Sequence, residues 1–134
     1  MATLTAVQAN ELAINFLKLA QAVGEFRISH RNQLSPAENK NLANWQWEIM
    51  SQGEDMLAAS TVLVMTNAKS SLATLDSITT QITKDIAKIK AIHKGIDLVA
   101  AILELGKAIM SKKPLAIFDN LVKVQEVWKL ATTG

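Results

Sequence analysis

The sequence predicts an all-α protein: a single antiparallel bundle of four or five helices, two of them long and central, spanning residues 1–134. Apolar residues recur at spacings of three and four along most of the chain. No segment alternates apolar and polar residues, and no Asn-Gly or Asp-Gly pair marks a hairpin. A length of 134 residues suits one domain, and 49% hydrophobic against 19% charged residues excludes a disordered chain.

The first helix is predicted from about Thr5 to Arg27. Residues 29–34 after it are polar and basic, which is typical of a loop, and His30 among them is interpreted as a solvated loop residue. The apolar residues of the helix are spaced by four, three, four and three, which aligns them as one stripe: Leu12, Phe16, Leu19, Val23 and Phe26.

The second helix is predicted from the motif Ser35-Pro36-Ala37-Glu38. A serine at the N-cap, a proline at the first helical position and a glutamate three residues after the cap form a capping box. Trp45 continues the apolar stripe of this helix, whereas Trp47 lies about 200° away around the axis. Trp47 is therefore predicted to face outward as an interface residue. Gly53 leaves two alternatives open over residues 36–69: one helix or two.

A low-charge segment follows, because residues 56–75 contain one charged residue, Lys69. A chain reversal is predicted at residues 67–71, where Asn and Ser side chains compete for backbone hydrogen bonds. The alternative position for the reversal is Asp76-Ser77.

A long coiled-coil-like helix is predicted over residues 75–110, a length of roughly 50 Å. Apolar residues occupy its first and fourth heptad positions, with Asp85 and Gly106 as exceptions: Leu75, Ile78, Ile82, Ile89, Ile92, Ile96, Val99, Leu103 and Met110. A helix that is apolar nearly all round is buried centrally, covered by a partner or inserted into lipid. A second stripe on the opposite face is therefore predicted as a partner or oligomer interface: Leu98, Ile102, Leu105 and Ile109.

The last helix is predicted from Leu115 to about Leu130, after Pro114 at its start. Phe118 and Val122 lie beside its main stripe. That stripe consists of Ile117, Leu121, Val124 and Trp128.

The residues that catalysis needs are scarce. The chain has no Cys, which excludes a thiolate nucleophile, a thiolate metal site and a disulfide. Arg27 and Lys90 stand three residues before His30 and His93, where a metal site in a helical bundle would need Glu. No Gly-rich phosphate loop and no nucleophile-elbow motif is present. We expect a non-enzymatic protein without cofactor, metal or small-molecule substrate.

Positive charge is concentrated in the second half of the chain. Residues 1–67 carry a balance of −2 and residues 68–134 a balance of +4. Four lysines, Lys84, Lys88, Lys90 and Lys94, are predicted to contact an anionic surface. Nucleic acid is disfavoured, because no aromatic residue lies among these lysines to stack on bases and Asp85 interrupts the patch.

A cytoplasmic location is expected by default. Residues 1–21 lack a basic leader and include Glu11 and Lys18, which is unlike a secretory signal. No uncharged apolar stretch reaches 18 residues, so no transmembrane span is predicted. Signal-independent export would leave no trace in the sequence.

These observations favour a non-catalytic interaction protein that binds a protein partner or a second copy of itself, such as an adaptor, an immunity-type protein or an assembly subunit. The alternative is a membrane-active helical protein, a pore-forming or membrane-inserting component, that inserts the low-charge segments 56–75 and 96–110. In that alternative the lysines of the long helix would meet anionic headgroups.

Overall fold

The chain folds as an all-α bundle, as predicted. The computed structural model describes residues 3–59 and 62–133. A short 3₁₀ helix, Ile86–Lys88, lies between the third and the fourth α-helix. The described residues form five α-helices: α1 (Ala6–Ser29), α2 (Pro36–Ala58), α3 (Ala68–Asp85), α4 (Ile92–Met110) and α5 (Pro114–Thr133).

The bundle is built from two helical hairpins and a helix between them. Helices α1 and α2 pack extensively against each other, as do α4 and α5, while α3 packs on α1 and α2 packs on α4. Side chains at the helix ends show that partners within a hairpin are antiparallel. Arg27 near the end of α1 donates to Asn39 at the start of α2, and Lys94 at the start of α4 donates to the Leu130 carbonyl near the end of α5.

Capping boxes fix the starts of the first two helices. The Ser35 hydroxyl accepts from the Glu38 amide at 3.1 Å, and the Glu38 carboxylate accepts from the Ser35 amide at 2.8 Å, which confirms the predicted box. Thr5 and Gln8 make the same reciprocal pair at the start of α1. These bonds satisfy backbone donors that have no partner within the helix.

The second helix is one continuous helix that ends at Ala58, so Gly53 lies inside it. A Cβ at Gly53 would lie 3.3 Å from the Ala13 carbonyl oxygen, so the glycine lets α2 approach the α1 backbone. The predicted reversal at residues 67–71 is wrong, because α3 already begins at Ala68. The described part of the connection, residues 62–67, is irregular, and its Leu63 carbonyl accepts from the Leu4 amide at 2.8 Å. Residues 60 and 61, within the low-charge segment 56–75, lie outside the described residues.

The predicted long helix over residues 75–110 is also wrong, since it is divided into α3 and α4. The chain reverses through residues 86–91, which we call the α3–α4 turn. Ile86 and Ile89 of this turn are buried against the bundle. Burial of these side chains outweighs a local sequence that favours helix, which is how tertiary packing commonly overrides propensity. The longest helices are consequently α1 and α2.

Two glycines let α4 lie close against the first hairpin. A Cβ at Gly95 would collide with the buried Phe26 ring of α1, and a Cβ at Gly106 would collide with the Gln52 side chain of α2. The Gln52 amide in turn donates to the Leu103 carbonyl at 3.1 Å. Helix α4 is thus held against α1 near its start and against α2 near its end.

Candidate functional surfaces

The stripe predicted as an interface on α4 lies in the core. Leu98, Ile102, Leu105 and Ile109 are each 0–1% exposed. Because α4 packs on α2 and on α5, both apolar faces of the helix are covered by the chain itself. The structure therefore corrects this assignment: these four residues do not form a surface in the folded monomer. All residues of the range 96–110 are buried or half-buried except Asp97, Glu104 and Lys107, which are exposed.

Trp47 lies on the outside of α2 and is 65% exposed, whereas Trp45 is half-buried against the core. This is the division that their two-residue spacing predicts on a helix. A role for Trp47 in binding stays a prediction.

The four lysines of the predicted anionic contact lie at one end of the bundle. Lys84 lies in the last turn of α3, Lys88 and Lys90 lie in the α3–α4 turn, and Lys94 lies in the first turn of α4. Lys88 forms an exposed ion pair with Asp85 at 3.4 Å. With Arg31, which follows α1 at the same end, these lysines form what we call the basic end.

Contacts between helix termini bring part of the basic end together. A solvent-open cleft of about 360 Å³ joins the α3–α4 turn to the end of α5, and Lys88, Lys90 and Thr132 are among its lining residues. Lys94 reaches the Leu130 carbonyl at 3.3 Å.

Glu38 is an acidic group near this end. The hydrogen bond from the Ser35 backbone amide lowers the pKa of Glu38 from its usual value, with smaller contributions from the Ser35 side chain and from the charge of His93. Its carboxylate is therefore engaged in the helix cap, which is a structural role.

His30 is buried, 7% exposed, and the prediction that it is a solvated loop residue is wrong. Its ring lies 4.6 Å from the Phe26 ring, centroid to centroid. Ring atom Nδ1 is 2.9 Å from the Phe26 carbonyl oxygen, and Nε2 is 2.5 Å from the Ile89 carbonyl oxygen. Both ring nitrogens thus lie within hydrogen-bond distance of backbone carbonyl oxygens. His30 thereby ties the end of α1 to the α3–α4 turn.

An apolar surface that was not among the predicted binding residues lies on α5. Leu115 is 81% exposed and Phe118 is 60% exposed, and half-buried Val122 follows at the next helical position on the same side. We call these three residues the α5 patch. Their spacing of three and four, beside the main stripe of the helix, is the signal in the sequence that could have identified it.

Within the described part of the chain, no group of three or more His, Cys, Asp or Glu side chains could hold a metal ion. No helix among residues 3–59 and 62–133 is both long and apolar enough to cross a membrane. Comparisons with protein-family models, with curated proteins and with solved structures found no match to this chain.

Proposed function

We propose that the protein is a non-catalytic interaction module that binds a protein partner through the α5 patch. The exposure of Leu115 and Phe118 carries the proposal. Both side chains leave large apolar areas in water on a helix whose other face is well packed. Aromatic residues are enriched at the centres of protein interfaces, where they are buried by the partner.

The position of α5 in the fold supports this proposal. The helix packs mainly on α4, so its outer face is free of the rest of the described chain. Asp119 and Lys123 are exposed beside the patch and would provide a polar rim of both signs. An apolar centre with a charged rim is the usual anatomy of a protein interface.

Affinity capture with the purified protein as bait tests the proposal. The variant Leu115→Ser/Phe118→Ser removes the patch, and Val7→Ser/Ile28→Ser removes two exposed apolar side chains of α1 as a matched control. We expect a stoichiometric partner to be retained by the native chain and by the control, and lost by the patch variant. Equal retention by both variants, each with native helical content, would contradict a role for the patch. A cytoplasmic location is part of this proposal, and cell fractionation tests it.

Association with an anionic membrane surface is a second candidate, favoured by the position of Lys84, Lys88, Lys90 and Lys94 at the basic end. Such binding is electrostatic and weakens as salt is added. Insertion of residues 96–110 would require the bundle to open, because their apolar side chains form the core. Co-sedimentation with phosphatidylserine vesicles, absent with neutral vesicles, supports surface binding. Dye leakage from the same vesicles would show insertion instead.

A further inference from the structure

The α3–α4 turn lacks the residues that normally end a helix. Its sequence over residues 86–91 is Ile-Ala-Lys-Ile-Lys-Ala, without Gly, Pro, Asn, Asp or Ser. Ala and Lys are strong helix formers, and Ile is acceptable in a helix. By contrast, the connection between α1 and α2 contains Asn32 and the Ser35-Pro36 pair. The reversal at residues 86–91 is therefore imposed by tertiary contacts and not by local sequence.

The apolar pattern of α3 continues into α4 without a change of phase. The spacing of three and four that begins at Leu75 is interrupted by Asp85, and it continues in the same register through Ile89 in the turn and on to Leu103. A connection between two separate helices has no need to preserve this phase. One uninterrupted helix would place all of these residues along one seam, as in a coiled coil.

The contacts of α4 with the rest of the molecule come from helices other than α3. Consecutive helices α3 and α4 scarcely touch, whereas α4 packs on α5 and α2. Opening the turn would thus break few contacts between α3 and α4. The contacts of the α4–α5 hairpin with α1, α2 and α3 include Gly95 against Phe26, Gln52 with Leu103, and Trp128 Nε1 with Gln81 at 3.3 Å. A second copy of the chain could supply every one of them.

We propose that the protein forms a domain-swapped dimer in which the α3–α4 turn straightens. Residues 68–110 then form one helix of about 65 Å, and the α4–α5 hairpin of each copy docks on α1, α2 and α3 of the other. The contacts of α4 with α2, including the bond from Gln52 to the Leu103 carbonyl, become contacts between copies in this state. Swapping of an identical element is a low-cost route to a dimer, because it reuses the contacts of the monomer.

The monomer is held closed by the contacts of the turn itself. Ile86 and Ile89 are buried, and the Ile89 carbonyl oxygen lies at hydrogen-bond distance from His30. Straightening releases these contacts and replaces them with backbone hydrogen bonds of a continuous helix. Because two chains must open before they exchange, the dimer should form on refolding at high protein concentration.

A proline at position 90 separates the two states. Ile89 already has φ −60° and ψ 127°, the extended conformation favoured before proline, so residue 89 accommodates Lys90→Pro in the turn. The same proline would lie in the interior of the straightened helix, where it lowers the association constant of the dimer about a hundredfold or more. Lys90→Ala is the matched control, because it removes the same charge and favours helix.

Each chain is unfolded in urea, refolded at high concentration and analysed by size-exclusion chromatography with light scattering. We expect dimer from the native chain and from Lys90→Ala, and monomer from Lys90→Pro. The α5 patch variant Leu115→Ser/Phe118→Ser should still form dimer, which distinguishes this state from association through the proposed binding surface. A Lys90→Pro dimer, a native chain that stays monomeric, or loss of dimer in the patch variant would overturn the proposal.

Hydrogen exchange on the isolated native dimer gives a test that needs no variant. The amides of Lys90, Ala91 and Ile92 should exchange more slowly in the dimer than in the monomer, because they would lie inside a helix. Unchanged exchange at these three amides would overturn the swap even if a dimer forms.

Discussion

Replacing His30 with alanine should destabilise the protein by about 2–4 kcal/mol, because the imidazole joins two backbone segments that are 59 residues apart in the sequence. The ring contacts the Phe26 carbonyl at the end of α1 and the Ile89 carbonyl in the α3–α4 turn. It also packs against the Phe26 ring. Alanine removes all three contacts and leaves a space in a buried region.

The magnitude follows from these contacts. Removing the ring leaves a buried carbonyl acceptor without its hydrogen-bond donor, which costs about 1–3 kcal/mol. The packed pair of rings adds about 0.5–1.5 kcal/mol. Since the stability of a domain is about 5–15 kcal/mol, the loss is a large fraction of the total. His30→Gln, which keeps a donor but not the ring, should fall between alanine and the native chain.

Urea denaturation followed by circular dichroism at 222 nm measures the effect. With a slope of about 1.5 kcal/mol per molar urea, the midpoint should fall by about 1–3 M. His93→Ala is the control, because His93 is exposed on the first turn of α4 and its loss should change stability by less than about 0.5 kcal/mol. Equal midpoints for the His30 and His93 variants would refute the reasoning that His30 secures the turn.

Three further predictions test the packing and the caps. Gly95→Ala should lower the free energy of unfolding by about 1–3 kcal/mol, because the new methyl group meets the buried Phe26 ring; urea denaturation measures it, and no loss would contradict the close approach. Leu98→Asp should abolish cooperative unfolding by burying an unpaired charge, and a folded Leu98→Asp chain would show that the site is not core. The lowered pKa of Glu38 means that its carboxylate stabilises the fold above the unfolded-state pKa and that this contribution is lost as the pH falls through the lower folded value. Glu38→Gln should therefore reduce the loss of stability between about pH 6 and pH 3, measured by urea midpoints, whereas exposed Glu48→Gln should leave it unchanged.

Local signals in the sequence located some features accurately. The capping box at Ser35 fixed the start of α2 to the residue, because a cap depends on four consecutive residues. The outward position of Trp47 followed from its helical spacing relative to Trp45. Each of these features is decided within one or two turns of helix, where sequence and geometry are directly linked.

Features decided by distant contacts were not predictable from the pattern. The α3–α4 turn depends on the burial of Ile86 and Ile89 against the bundle and on the contact with His30. His30 is 59 residues away in the sequence, so no local sequence pattern around residue 89 includes it. The same contact explains why the sequence around His30 predicts a solvated residue: its neighbours in the sequence are polar, and its contact with the Ile89 carbonyl joins residues that are distant in the sequence. On α4, an apolar pattern on both faces predicts that both faces are buried. The pattern does not show whether they are covered by other helices of the same chain or by a partner protein.

The two proposals of interaction are physically compatible, and their combination makes a further prediction. Helix α5 packs mainly on α4, so the α5 patch stays on the outside of the hairpin whether the hairpin docks on its own chain or on a second copy. A swapped dimer would therefore present two patches at a fixed separation, and a partner with two binding sites would gain avidity without any new contact. Native dimer should then bind a partner immobilised at high density more tightly than Lys90→Pro monomer does, while the two should bind equally at low density. Equal binding at both densities would show that the patches of one dimer cannot engage together.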